Sequence, residues 1–264
     1  MRVSKIRSLS YMNILRYRFL FDELVKRDFK TKYKRTILGV AWSMLSPLLT
    51  LWVMYFIFSN FFGSNIKHYI TYLFCGNLVY SFFSDATNQG MYALIANADI
   101  FTKVPVPKYL FLLSKSVQTL INFGLTLCIF FVFCYLDGVP FTWKFILLVY
   151  PIGCLMAFNI GVGFVLSALF VFFRDIQYLW SIFLQLLMYM SAIFYTVDHF
   201  PERTQFLFNL NPVFVYIRFF RRLVIESVVP SPQSFALAAF YALAALLFGG
   251  WMYHYYNQRF LYYV

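Results

Sequence analysis

VFFRDIQYLW, residues 171–180, sets a charged pair inside a stretch otherwise free of charge. No side chain from Phe145 to Phe173 is charged, and none from Ile176 to Val197; Arg174 and Asp175 stand alone between them. A helix needs about 20 largely apolar residues to cross the hydrocarbon of a bilayer. Each flank is that long, so the pair reads as a very tight turn between two spanning helices. Asp175 is placed to cap the free N–H groups that open the second helix and to favour its positive dipole end. Arg174 is placed to reach from the end of the first helix into the headgroups.

The same length criterion, carried outward, gives six spans at about 37–62, 69–95, 109–135, 144–173, 176–197 and 233–253. Composition agrees: hydrophobic residues make up 62% of the chain and charged residues 12%, against about a quarter in soluble domains. The expected class is all-α integral membrane, with an interfacial segment at 1–36 and a six-span domain at 37–264. Residues 1–36 are too charged for a cleavable signal peptide. They hold eleven of the 22 basic residues, which places the N-terminus in the cytoplasm, and six spans return the C-terminus to the same side. Cys75, Cys128, Cys134 and Cys154 lie in or beside apolar segments without ligand spacing and read as small apolar fillers.

Between the spans, four segments carry candidate function. In FLFDELVKRDFKTKYKR (19–35), Phe21, Leu24, Val25 and Phe29 gather on one side of a helix, and Lys26, Arg27, Lys30 and Lys34 on the other. It is either a headgroup-lying anchor or a lever touching a cytoplasmic partner. Asp85, in SDATNQG, is an intramembrane carboxylate that either lines a substrate path or is hydrogen-bonded inside the bundle. Pro105 and Pro107 end a short cytoplasmic helix near 97–104, a knob suited to docking a soluble protein or else an ordinary loop. In the outer loop, Asn211 and Pro212 start a helix whose Arg218, Arg221 and Arg222 meet either lipid phosphate or an anionic substrate. That helix reads as re-entrant or lying in the outer interface.

Small residues recur at Gly153, Ala157 and Gly161, and at Ala238, Ala242, Ala245 and Gly249, allowing close helix contact within one chain or between two. The sequence has no GxxxxGK[ST] phosphate loop, its three histidines are far apart, and no nucleophile–base grouping occurs. It gives no catalytic or metal site.

VKRDFKTKYKRTILGVAWSMLSPLL (25–49), KVPVPKYLFLLSKSVQTLINF (103–123), FFRD (172–175) and NPVFVYIR (211–218) together resemble, in order, the type 2 ABC-exporter permeases. The resemblance covers nearly the whole chain and is nearest to permeases of lipid-linked polysaccharide: O-antigen, capsule or wall teichoic acid. It implies two copies of this permease in a bacterial cytoplasmic membrane, with two copies of a separate ATPase that binds ATP and Mg. It implies no enzyme activity, cofactor or nucleic-acid partner for this chain, contact with membrane lipid, and an undecaprenyl-diphosphate-linked glycan as substrate. Asn97, Asp99 and Lys103 would belong to a coupling helix, with Arg174 and Asp175 at a second ATPase contact. Where the family usually has Phe before its Pro, this chain has Val104, with a second Pro two residues after Pro105. Two further readings stay open: a permease of the same fold exporting a drug or small lipid, and an intramembrane glycolipid enzyme.

Overall fold

The structure is a computed structural model that describes residues 17–34, 39–62, 66–197 and 200–263. The basic residues before Tyr17, Arg35, the expected domain boundary at 36/37, and His199 lie outside the described residues. Among those described, helices and irregular connections occur and no strand does.

Four helices among the described residues are long and apolar enough to cross a membrane: α2 (Ala41–Phe62), α5 (Tyr109–Leu136), α6 (Val149–Phe172, entered through the 3₁₀ turn Trp143–Leu148) and α10 (Pro232–Tyr256). Helix α3 (Tyr69–Tyr92) has 24 residues but carries Ser81, Ser84, Asp85, Thr87, Asn88 and Gln89 in its second half. It tolerates them because it sits at the centre of the bundle, packed against α5 and α6. Helix α1 (Arg18–Tyr33) lies against α5, and the four-residue α4 (Ala98–Phe101) follows a 3₁₀ turn at Ile95–Asn97.

The expected fifth span is shorter than read. Helix α7 (Ile176–Met190) has 15 residues, about 22 Å at 1.5 Å per residue, against about 30 Å of hydrocarbon. Instead of continuing to Val197, the chain leaves the helical path at Ser191 and buries Ser191 to Phe194 inside the protein. Helices α8 (Glu202–Asn209) and α9 (Pro212–Val224) follow, and α11 (Phe260–Tyr263) closes the described chain. The cap expected of Asp175 is not made. Its backbone is already helical, φ −69° and ψ −14°, and its side chain accepts no cap bond, whereas an N-cap needs a non-helical residue to turn its oxygen onto the free N–H groups. Asn211 does cap as expected: its Oδ1 accepts from Val213 N–H at 3.0 Å and Phe214 N–H at 3.3 Å.

The small-residue strips meet within one chain. A Cβ on Gly249 would lie 2.1 Å from the Gly161 carbonyl oxygen, and one on Gly161 would lie 2.3 Å from the Ala245 carbonyl carbon. Thus α6 and α10 touch backbone to backbone. Gly153 takes no part, with no such atom within 4 Å of its Cβ position. On the other side of α6, Gly163 receives Gly90 of α3, whose Cβ would stand 3.2 Å from the Gly163 Cα. Gly161→Ala and Gly249→Ala should each force the helices apart and destabilise by about 1–3 kcal/mol. Thermal unfolding in detergent should show a lower Tm for both and an unchanged Tm for Gly153→Ala. An unchanged Tm for Gly249→Ala would contradict the contact.

Candidate functional site

At the α1 end, the predicted knob stands on a buried base. Asn97 is almost wholly enclosed; its Nδ2 donates to the Ala93 carbonyl at 2.8 Å, and its Oδ1 accepts from Arg27 at 2.6 Å. Arg27 also holds Asp28 Oδ1 at 2.8 Å, and Asp28 Oδ2 lies 3.1 Å from Lys115 Nζ on α5. Gln118 completes the joint by donating to the Asp28 carbonyl. Charge-assisted hydrogen bonds from Arg27 tie α1 to the first residue of the knob, and the Asp28–Lys115 ion pair ties it to α5. Sequence reading missed Asp28, Lys115 and Gln118. Their signal was an acid among the basic residues at 26–34 and a lone lysine two turns into the apolar α5.

Above this joint, Asp99 and Lys103 are exposed, while Phe101 turns inward. Phe101 joins Leu24, Leu94, Phe111, Val171, Tyr253 and Phe260 in a second apolar core, so α1, α4, α5, α6, α10 and α11 all meet under the knob. Lys108 fastens the same corner. Its Nζ donates to the Asn257 carbonyl and lies 5.6 Å and 5.4 Å from the ring centroids of Phe101 and Phe260. Burial pushes the Lys108 ammonium below the ordinary lysine value.

Arg174 and Asp175 belong to this end too. Both are exposed, and the Arg174 guanidinium lies 5.2 Å from the Phe170 ring centroid. Tyr92, just before the knob, packs edge-on against Phe170 at 4.9 Å and donates to Gln177 Oε1 at 3.0 Å. Tyr92 thus links the end of α3, five residues before Asn97, to residues on both sides of the 174–175 turn.

At the opposite end the three arginines part company. Arg221 is buried. Its Nη1 donates to the Ala192 carbonyl and the Tyr72 hydroxyl, both at 2.8 Å, and its Nη2 to the carbonyls of Ile193 at 2.9 Å and Tyr72 at 3.3 Å. The guanidinium carbon stands 3.4 Å from the Tyr72 ring centroid. Tyr69 and Tyr72 donate to the next two carbonyls, Phe194 and Tyr195. Four consecutive carbonyls of the irregular segment after α7 are thereby satisfied, as non-helical backbone away from water requires. The interface reading of Arg221 is corrected: it faces its own chain. Arg218 and Arg222 remain partly exposed, Arg218 donating to Asn209 Oδ1 at 3.4 Å. Asn211 joins both helix ends, since its Nδ2 donates to the Met190 carbonyl at 3.2 Å and to Ser191 Oγ at 2.9 Å.

Asp85 is exposed and lines a cleft of about 440 Å³ bounded by α2, α3 and α5. It shares that cleft with hydroxyl, amide and aromatic side chains and lies apart from both ends just described.

Residues 20–225 match the ABC-2 type transporter family model. An O-antigen export system permease protein RfbA of Klebsiella pneumoniae is 30% identical over 200 residues, covering 74% of this chain and 77% of that protein. One of Myxococcus xanthus is 28% identical over 229 residues, covering 86% and 88%. The polysialic acid transport protein KpsM of Escherichia coli is 22% identical over 239 residues, covering 86% and 90%. The matched segment runs from the basic helix through the knob to the arginine-bearing α9, so the geometry and the match cover the same ground, and the chain belongs to the ABC-2 type transporter family.

Proposed function

We propose that this chain is the permease subunit of an exporter that moves lipid-linked polysaccharide across the cytoplasmic membrane of a bacterium. Two permeases work with two copies of a separate ATPase chain, which binds ATP and Mg. The observation that carries the reading is the exposed Asp99–Lys103 face, mounted on a buried ion-pair joint inside an exporter-family chain. A protruding helix with rigid footing is what a motor needs to push against. The α1 end, with Arg174 and Asp175, then faces the cytoplasm and the ATPase, and both termini lie on that side. The six crossings are the four long apolar helices, α3, and α7 continued by residues 191–197. Helices α8 and α9 are re-entrant from the outer side.

The curated relatives named for O-antigen and polysialic acid transport support a polysaccharide over a drug or small lipid, and undecaprenyl diphosphate is its proposed carrier. Arg218 and Arg222 are the candidates for meeting its anionic head group at the outer end, because guanidinium forks match phosphate oxygens. Asp99→Arg and Lys103→Glu test the assignment in the co-expressed complex. Each should lower export at least about tenfold, since like charges forced together at an interface cost several kcal/mol and about 1.4 kcal/mol is already tenfold, while the permease level in the membrane stays unchanged. A cysteine introduced at position 99 should be labelled only from the cytoplasmic side. Labelling from outside would overturn the orientation and the coupling role together.

A further inference from the structure

Past Tyr256 the chain turns back on itself. Asn257, Gln258 and Arg259 are exposed, and Arg259 N–H donates to the Tyr256 carbonyl at 2.9 Å, yet Phe260 next to them is wholly buried. The short α11 that starts there packs on α6. The Phe260 ring lies 5.2 Å from that of Tyr253 and 6.0 Å from that of Phe172, the last residue of α6. Phe172 also meets Tyr256 at 5.3 Å and Tyr263 at 5.0 Å. Arg174 stands two residues further on, so the corner after α10 grips the base of the 174–175 turn.

The knob is held from the same corner. Helix α4 has four residues, far below the about 12–15 at which an isolated helix becomes even marginally stable, so its direction has to be imposed from outside. Arg27 and Asn97 fix its start. At its other end Phe101 is buried, but the chain from 104 to 107 is irregular and gives it no helical continuation. Lys108, just past that break, supplies the hold. Its Nζ lies over both the Phe101 and the Phe260 rings and donates to the Asn257 carbonyl. A partly desolvated ammonium is drawn to ring faces and must find an acceptor, so it fixes the direction of its neighbours where an aliphatic side chain would only fill space. The rest of this small core is apolar, and the cation is placed where its elements join.

We propose that Lys108 and Phe260 are positioning residues for transport. Together they brace the Asp99–Lys103 face against the 174–175 turn, so that the two surfaces assigned to the ATPase move as one unit. The proposal rests on the ATPase reading above and adds the part that keeps its two contacts in register. Force delivered to the knob passes through Phe101, Lys108 and Phe260 into α6 and α10, the helices whose backbones touch at Gly161 and Gly249. Without the brace, a push on four residues is absorbed by the irregular 104–107 link.

The experiment uses the full permease–ATPase complex at matched membrane level. Lys108→Met keeps the stem and removes the cation. Transport per ATP hydrolysed should fall about three- to tenfold, the loss of one partly desolvated cation–aromatic contact, while ATP hydrolysis persists. Lys108→Arg should recover most of it, because a guanidinium also stacks on rings and donates to a carbonyl. Phe260→Leu keeps apolar bulk where alanine would open a cavity, and it should lose about as much as Lys108→Met. Amide hydrogen exchange of the complex separates bracing from general packing. In Lys108→Met, exchange should quicken several-fold at 98–104 and at 172–176 together, and stay at the parent rate in α2. Exchange that quickens throughout, or at only one of the two segments, would overturn the brace. So would transport per ATP equal to the parent's in a complex whose Asp99→Arg variant fails to export, and the ATPase reading would then stand without it. If Asp99→Arg exports normally, the ATPase reading falls and takes the brace with it.

Discussion

Arg221→Leu should leave little folded permease in the membrane, and Arg221→Lys should recover only part of it. The leucine variant strips donors from the non-helical carbonyls of Ala192 and Ile193 and a second bond from the Tyr72 carbonyl, which keeps its place in helix α3. Each unsatisfied buried acceptor costs about 1–3 kcal/mol. Two together reach the lower part of the margin of a folded domain, about 5–15 kcal/mol. Ala192 makes the loss worse, because it sits at φ +48°, a left-handed conformation that a non-glycine residue keeps only when its surroundings hold it. Lysine retains the charge but not the fork: its ammonium is one point, and it cannot reach Ala192 and Ile193 on one side and stack on Tyr72 on the other. Gly76 leaves room for the guanidinium, since a Cβ there would stand 2.9 Å from Nη2, so the pocket is cut for arginine. The measurement is the folded fraction in mild detergent, by size exclusion and protease resistance. Arg218→Lys and Arg222→Lys, which do not enter this cluster, should match the parent. A fully folded Arg221→Lys protein would mean the carbonyls are satisfied without the fork.

Some of this architecture is legible in the sequence because it is local. The lengths of α2, α5, α6 and α10 follow from apolar runs, and the start of α9 follows from the capping chemistry of Asn211 and the fixed φ of Pro212. The end of α7 is different. Nothing in YMSAIFYTV (189–197) marks a stop, because the stop is made by donors at positions 69, 72 and 221 that reach it through space. Helical spacing separates the three arginines only in part: Arg222 is about 40° round the helix from Arg218, and Arg221 about 60° from Arg218 and about 100° from Arg222. The carbonyls of Ala192 and Ile193, reached only through the fold, are what hold Arg221 inside. Polar α3 is likewise explained only by what surrounds it. The knob was legible from Pro105 and Pro107, but its footing was not, since Arg27, Asn97 and Lys115 are brought together only by the fold.

The second large effect concerns that footing. Asp28→Leu alone should cost about 3–5 kcal/mol, the penalty for leaving a buried partner charge uncompensated. Here that charge is Lys115, with 18% of its side chain exposed, while Asp28 has 4%. The double variant Asp28→Leu with Lys115→Met replaces the pair by apolar groups of similar size, a change that is often neutral for stability. Two roles for the pair then separate. If it only glues α1 to α5, the double variant should regain both folded level and export. If it also braces the knob, folded level should return while export stays several-fold low, because Arg27 loses the Asp28 clamp that aims it at Asn97. The second outcome is the expected one. Arg27 is the only link in the joint that touches the knob among the described residues, and its free side chain would carry considerable rotamer entropy. ATP hydrolysis by the complex should persist in the double variant while transport per ATP falls, the signature of a motor pushing on a loosened helix. Full recovery of transport would reduce Asp28 and Lys115 to a packing role and leave Asn97 to be held by its bond to the Ala93 carbonyl alone.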